Sequence, residues 1–191
     1  MAKPLPTSIQ ADSRRSVLKL LPALLVARLA GPGTARAERG DDGEVPIGQP
    51  LRDGPLLGLN GPSRRLASYR GHPLLINVWA SWCGPCRQEM QSLERLAWLE
   101  HPVPFTLIGI STDDYPEQAR QLLARTNATI SHFIDEHLLW EHMLGASTLP
   151  LTVLVDARGR VVDKVHGARQ WDAPEALALI ARAFPAAGRR P

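Results

Sequence analysis

Three stretches of the chain are apolar almost without interruption. Leu74–Trp79, bounded by Pro73, reads as a buried strand, and residues 105–111 read as a second. Residues 151–156 form a third, marked by β-branched content. Between them the pattern changes period. After Cys86, apolar Met90, Leu93, Leu96 and Ala97 recur at helical spacing, with Arg87, Gln88, Gln91, Glu94 and Arg95 between them. A second helix is expected over 117–125, with Ala119, Leu122 and Leu123 inward, after the start signal at 113–117. Ser131–Ile134 reads as a short strand, 136–144 as a short helix, and Val161–His166 as the hairpin partner of 151–156 across a turn at 157–160. An amphipathic helix over 173–184 closes the chain. Ahead of all this, short apolar pieces at 55–59 and 64–69 flank Asn60-Gly61, a turn dipeptide.

Strand–helix–strand followed by hairpin and helix predicts an α/β fold. Its first half is a right-handed parallel crossover, so the central sheet is mixed and flanked by helices. The 191 residues suit one domain plus an appendage. We expect that domain at 51–186, with a polar, Gly- and Pro-containing flexible lead-in at 38–50 and a tail at 187–191. The formal charge of +3 comes from the N-terminus. Residues 1–37 carry Lys3, Arg14, Arg15, Lys19, Arg28 and Arg36 against Asp12 alone, so the remainder is slightly acidic. The basic balance belongs to a targeting segment, and no nucleic-acid surface is expected.

That segment has the parts of an export signal. Ser13-Arg14-Arg15-Ser16-Val17-Leu18-Lys19 resembles the twin-arginine motif, with Val17 where phenylalanine is commoner. An apolar stretch at 20–27 follows, and Ala35-Arg36-Ala37 marks cleavage before Glu38. The stretch is shorter than the roughly 20 residues of a membrane span, and Pro22 and Arg28 interrupt it. Left uncleaved, it would be an amphipathic anchor. Either way the expected compartment is the periplasm, with the protein free or held at the inner membrane.

The only two cysteines lie two residues apart in Trp79-Ala80-Ser81-Trp82-Cys83-Gly84-Pro85-Cys86, where the first buried strand hands over to the helix. Pro85 falls at an early helical position, where its missing N–H costs nothing. A helix N-terminus presents unpaired N–H groups and partial positive charge, which make a thiol there more acidic. Cys83 is therefore the expected nucleophile. Cys86, one turn further in, can close a short disulfide with it and is the expected resolving thiol. Structural zinc would want four ligands, but there is no second cysteine pair and the six histidines are scattered. His137 and His142, five apart on a helix, point to different faces and make no metal pair.

At these residues the chain resembles the thioredoxin superfamily, whose active site reads Trp-Cys-Gly-Pro-Cys. Asn77-Val-Trp-Ala-Ser-Trp-Cys-Gly-Pro-Cys-Arg-Gln-Glu89-Met is similar to the exported TlpA/ResA-type thiol–disulfide oxidoreductases, over residues 45–184. The resemblance implies a thioredoxin-like fold with an added N-terminal β-hairpin and a helix-containing insert between its halves. It also implies that Pro150 follows a cis peptide bond and packs against the cysteines. Leu149 would then offer backbone hydrogen bonds to substrate, with Trp82, Gly84 and Pro85 completing the binding surface. A cis bond is plausible because proline tolerates it. Thioredoxin deprotonates its second cysteine with a buried aspartate; here that position is Asn77, which cannot titrate. Glu89, three residues after Cys86 on the same helical face, is the replacement candidate, against the alternative of a solvated glutamate. Glu94, further along, is expected to be idle. Gln91 stands where relatives commonly carry proline, and Leu151 where they carry threonine after the cis-proline.

The implied chemistry is disulfide exchange through the Cys83/Cys86 couple, with no separate cofactor and no metal. The partners would be client proteins bearing disulfides and a membrane thiol electron donor. The Gly-Pro dipeptide and the resemblance both point to reduction, in cytochrome c or copper-site maturation. A periplasmic oxidase or isomerase, or a copper-binding assembly factor using the same two thiols, are the alternatives.

Overall fold

The computed structural model describes residues 43–185. The export segment read at 1–37, residues 38–42 and the tail at 187–191 lie outside the described residues.

Among the described residues, seven strands and four α-helices follow in the order β1 (Pro55–Gly58), β2 (Arg64–Arg65), β3 (Leu74–Trp79), α1 (Gly84–Trp98), β4 (Thr106–Ser111), α2 (Pro116–Thr126), β5 (Ser131–Ile134), α3 (Leu139–Leu144), β6 (Leu151–Val155), β7 (Val161–His166) and α4 (Pro174–Ala183), with a short 3-10 turn at Leu66–Tyr69. They form one sheet in the order β2-β1-β5-β4-β3-β6-β7. β3 runs parallel to β4 and antiparallel to β6, and β4 runs parallel to β5. The expected mixed sheet and N-terminal hairpin are both present, and the hairpin joins through β1 to the edge of β5. Between the strand–helix–strand half and the closing hairpin and helix lie α2, β5 and α3, so the segment joining the halves contains helix, as expected.

Every residue of β3 is buried because both faces of the sheet are covered. Leu74, Ile76 and Val78 face a core shared with Ile108, Ile110, Phe133, Val153 and, from α3, Trp140 and Met143. The opposite face carries Leu75 against α1 and α4, and Trp79 against α1 and α2. The buried stripe of α1 runs through Cys86, Glu89, Met90, Ser92, Leu93 and Leu96. Ala97, expected inward, is exposed, and Leu96 takes its place on the stripe. In α2, Ala119 and Leu123 are buried while Leu122 sits at the margin.

The lead-in is not free along its length. Val45 is buried and its amide donates to Met143 O at 2.8 Å. Gly48 N donates to Val161 O and Val161 N to Gln49 O, and Glu44 pairs with Lys164. Residues 44–50 thus pack as part of the domain, against the expectation of a flexible segment to residue 50. Gly145, which ends α3 at φ +76°, shows why a glycine is needed. A Cβ there would lie 2.3 Å from the Glu44 carboxyl carbon. Among the described residues no helix is long and apolar enough to cross a membrane.

Candidate active site

The site is built where β3 ends. Trp79 is fully buried, the chain turns at Ala80–Trp82, and Cys83 caps α1. The turn is pinned from the neighbouring β4–α2 loop. Asp113 accepts from Ser81 N at 2.9 Å, Ser81 Oγ at 2.6 Å and Ser111 Oγ at 2.6 Å. Arg87 reaches back from the first turn of α1 to donate to Ser81 O at 3.2 Å.

Cys83 and Cys86 form a disulfide with S–S 2.04 Å and Cα–Cα 5.3 Å. Cys83 Sγ also accepts from Cys86 N at 3.2 Å, one of the helix-start amides that an anionic sulfur would find in the reduced state. The two sulfurs differ in access, Cys83 being 5% exposed and Cys86 not at all. Beside them the Leu149–Pro150 peptide is cis. Pro150 is buried, Gly167 N donates to its carbonyl at 2.9 Å, and half-buried Leu149 packs against the cluster that contains both cysteines. Trp82 is 65% exposed and Pro85 is also exposed, with Gly84 partly so. Trp82 and Pro85 thus expose an apolar surface next to the more accessible sulfur in sequence, while Leu149 packs against the cluster beneath it and Pro150 is buried.

Glu89 is not a surface glutamate. It is 1% exposed, and three N–H donors hold its carboxylate. Asn77 Nδ2 donates to Oε1 at 2.8 Å; Arg169 N and Trp171 Nε1 each donate to Oε2 at 3.1 Å. The second hydrogen of Asn77 Nδ2 goes to Thr152 Oγ1 at 3.0 Å, so both its donors are committed. Burial raises the Glu89 pKa above the usual carboxylate value, and the bonds from Asn77, Arg169 N and Trp171 oppose that rise. The result is a buried acid one helical turn from Cys86 that can hold a proton or accept one.

A second buried polar pair lies along the same face of the sheet. Trp79 Nε1 donates to His132 Nδ1 at 3.1 Å, which places the imidazole proton on Nε2. Burial pushes the His132 pKa down to about 3, so the ring is neutral. Gly109, opposite His132 in the β4–β5 register, leaves the room this needs, since a Cβ there would sit 2.1 Å from Nδ1.

Some of this was not readable in the sequence. Glu94, taken as idle, caps the α2–β5 loop by accepting from Thr129 N, Thr129 Oγ1 and Ile130 N. Arg169 and Trp171 sit in a connection with no motif around them, and Asp113, read only as part of a helix-start signal, gave no sign of its bonds to Ser81 and Ser111. His132 could have been found by strand parity, since it shares a face with buried Ile134. His137 and His142 are exposed, and among the described residues no group of three or more His, Cys, Asp or Glu side chains is placed to hold a metal ion.

Comparison with known proteins bears on this geometry. The Redoxin family model matches residues 46–180. The thiol:disulfide interchange protein DsbE of Pseudomonas aeruginosa is 34% identical over 133 residues, 66% of this chain and 72% of that protein. The thiol-disulfide oxidoreductase ResA of Geobacillus thermodenitrificans is 27% identical over 123 residues, 64% of this chain and 71% of its own. In fold, a Chlorobium tepidum chain described as a thiol:disulfide interchange protein of DsbE type superposes with a TM-score of 0.67 at 24% identity, covering 73% of this chain and 99% of that one. The architecture is thioredoxin-like, and these relatives are named thiol–disulfide proteins, as a chain with a bonded cysteine pair at its strand–helix junction would suit.

Proposed function

This chain belongs to the Redoxin family of thiol–disulfide oxidoreductases, and from that premise we propose that it reduces disulfides of client proteins in the periplasm. The observation that carries the proposal is the asymmetry of the pair. Cys83 is the edge-exposed sulfur at a helix N-terminus beside the exposed Trp82, whereas Cys86 is closed off above a buried acid. In the reduced protein the Cys83 thiolate attacks a client disulfide. A Cys83–client bond forms, and the client's other sulfur leaves and takes up a proton. Cys86 then gives its proton to Glu89 and attacks Cys83, the Cys83–client bond breaks, and the client leaves with two electrons gained. The Cys83–Cys86 disulfide remains, and a membrane thiol donor returns it to the dithiol. Trp82, Gly84, Pro85, Leu149 and Pro150 hold the client chain across Cys83.

Export rests on residues 1–37, whose paired Arg14 and Arg15, short apolar stretch and small-residue cleavage site support periplasmic delivery. The clients that suit a reductant in an oxidising compartment are proteins whose cysteines must be kept reduced to receive a prosthetic group, as in cytochrome c or copper-site maturation. Trapping tests the assignment. In cells, Cys86→Ala is expected to accumulate mixed disulfides with clients, and Cys83→Ala to accumulate few. Equal trapping by both variants, or none by either, contradicts the roles given to the two sulfurs.

A further inference from the structure

The Glu89 carboxylate is held unevenly. Oε2 accepts two hydrogen bonds, from Arg169 N and Trp171 Nε1, and Oε1 accepts one, from Asn77 Nδ2. A carboxylate oxygen offers two lone pairs. Those of Oε2 are both taken, and one on Oε1 is open.

The loop that supplies the two Oε2 donors is fastened to α1 along one helical stripe. Besides the bonds to Glu89, Trp171 N donates to Ser92 Oγ at 3.0 Å. Ser92 Oγ bonds the Glu89 carbonyl at 2.7 Å, and Arg95 pairs with Asp172 at 2.6 Å. Glu89, Ser92 and Arg95 are spaced three apart, so one face of the helix carries the whole loop. Trp171 is fully buried against it.

We propose that Trp171 is a positioning residue for Glu89: its indole N–H, with the Arg169 amide, fills Oε2, so that Glu89 takes up and releases its proton at Oε1, beside Asn77. The consequence for proton transfer from Cys86 rests on the function proposed above. The positioning itself does not, and it can be measured without turnover.

The neighbours of the carboxylate are few. β3 contributes Asn77, β6 Thr152 through Asn77, and the 167–173 loop Trp171 and the Arg169 amide, with Cys86 one turn back on α1. The other charged side chains of these elements (Arg87, Glu94, Arg95, Arg169 and the half-buried Asp172) give the carboxylate no side-chain hydrogen bond. Donation from Trp171 favours the ionised form. Its loss must therefore move proton uptake by Glu89 to higher pH.

The test uses the oxidised protein, in which neither cysteine titrates. Carbon-13 NMR of the Glu89 carboxyl and the indole N–H signals are followed against pH. In the parent protein the Trp171 N–H signal is expected to move with the same midpoint as the carboxyl, and to stop moving in Glu89→Gln. Replacing Trp171 by 3-benzothienylalanine, where sulfur stands for the ring N–H at nearly constant volume, is expected to raise the carboxyl midpoint. Trp171→Phe should do the same if the loop tolerates the smaller ring. An indole signal that ignores the carboxyl titration, or a midpoint unmoved in the isostere, overturns the proposal. Disulfide-reduction rates then separate the two claims. If Glu89 is the base, the acid limb of the rate profile shifts by the same interval as the midpoint. If the midpoint moves and the limb does not, Trp171 positions Glu89 as proposed and the base assignment fails instead.

Discussion

Asn77 Nδ2, on the central strand, donates to Glu89 Oε1, on the helix packed over it, across 2.8 Å with both side chains closed to solvent. An amide cannot take a proton at any ordinary pH. With both its hydrogens committed to Glu89 and Thr152, Asn77 orients the acid and leaves the titration to it. This divides between two residues what a single buried aspartate at the strand position would combine.

Glu89→Gln is accordingly expected to keep the fold and slow disulfide reduction near neutral pH. General-base assistance is worth ~10²–10⁴-fold, and the low end is expected because water can partly stand in for the base. The exposed Glu100→Gln, just beyond the same helix, is the control. Matching rates for the two variants from about pH 5 to 9 would remove Glu89 from the reaction.

The same acid should mark the pH dependence of stability. A carboxyl whose folded pKa is raised binds more protons folded than unfolded between the two values. Stability therefore falls as pH rises from the unfolded value, near 4.5, through the raised folded one. Urea unfolding of the oxidised protein should show this decline, and Glu89→Gln should flatten it. An unchanged slope in the variant would mean that Glu89 titrates alike in both states.

Gly109→Ala is expected to be destabilising by about 1–3 kcal/mol, because overpacking here meets an imidazole instead of the end of a flexible chain. The new Cβ would fall 2.1 Å from His132 Nδ1 and 2.5 Å from its Cε1. Combining it with His132→Ala should recover part of the loss, giving a favourable coupling in a double-mutant cycle read by chemical denaturation. Strict additivity would show that the clash is relieved elsewhere.

Asp113→Ala strips acceptors from Ser81 N, Ser81 Oγ and Ser111 Oγ at once. Loss of bonds to a charged acceptor should cost roughly 2–3 kcal/mol, with faster amide exchange at Ser81. A loss below about 0.5 kcal/mol would mean that solvent replaces the carboxylate freely.

Much of the architecture was legible because each element carried its own local signal. β3, β4 and β6 are apolar runs buried on both faces, and α1 carries Pro85 in its first turn, where a proline suits a helix. The pair Cys83/Cys86 and the proline at 150 were legible as a motif. The spacing of Glu89 to Cys86 made it a candidate but left a solvated glutamate open, and its fixation was not legible at all. Trp171 and Arg169 reach it from 82 and 80 residues away through an irregular loop, and nothing local announces such a contact. Ala97 misled because alanine weakly marks either face, and the lead-in because its partners, Met143 for Val45 and Val161 for Gly48 and Gln49, lie about a hundred residues along the chain.

The equilibrium reduction potential of the Cys83/Cys86 couple is the most direct test of reduction as the working direction. Titrated against a thiol buffer of known potential, with the disulfide fraction read by alkylation, the couple is expected to fall near the ~−270 mV of thioredoxin. A value near the ~−120 mV of the oxidant DsbA would contradict the account and make the protein a donor of disulfides.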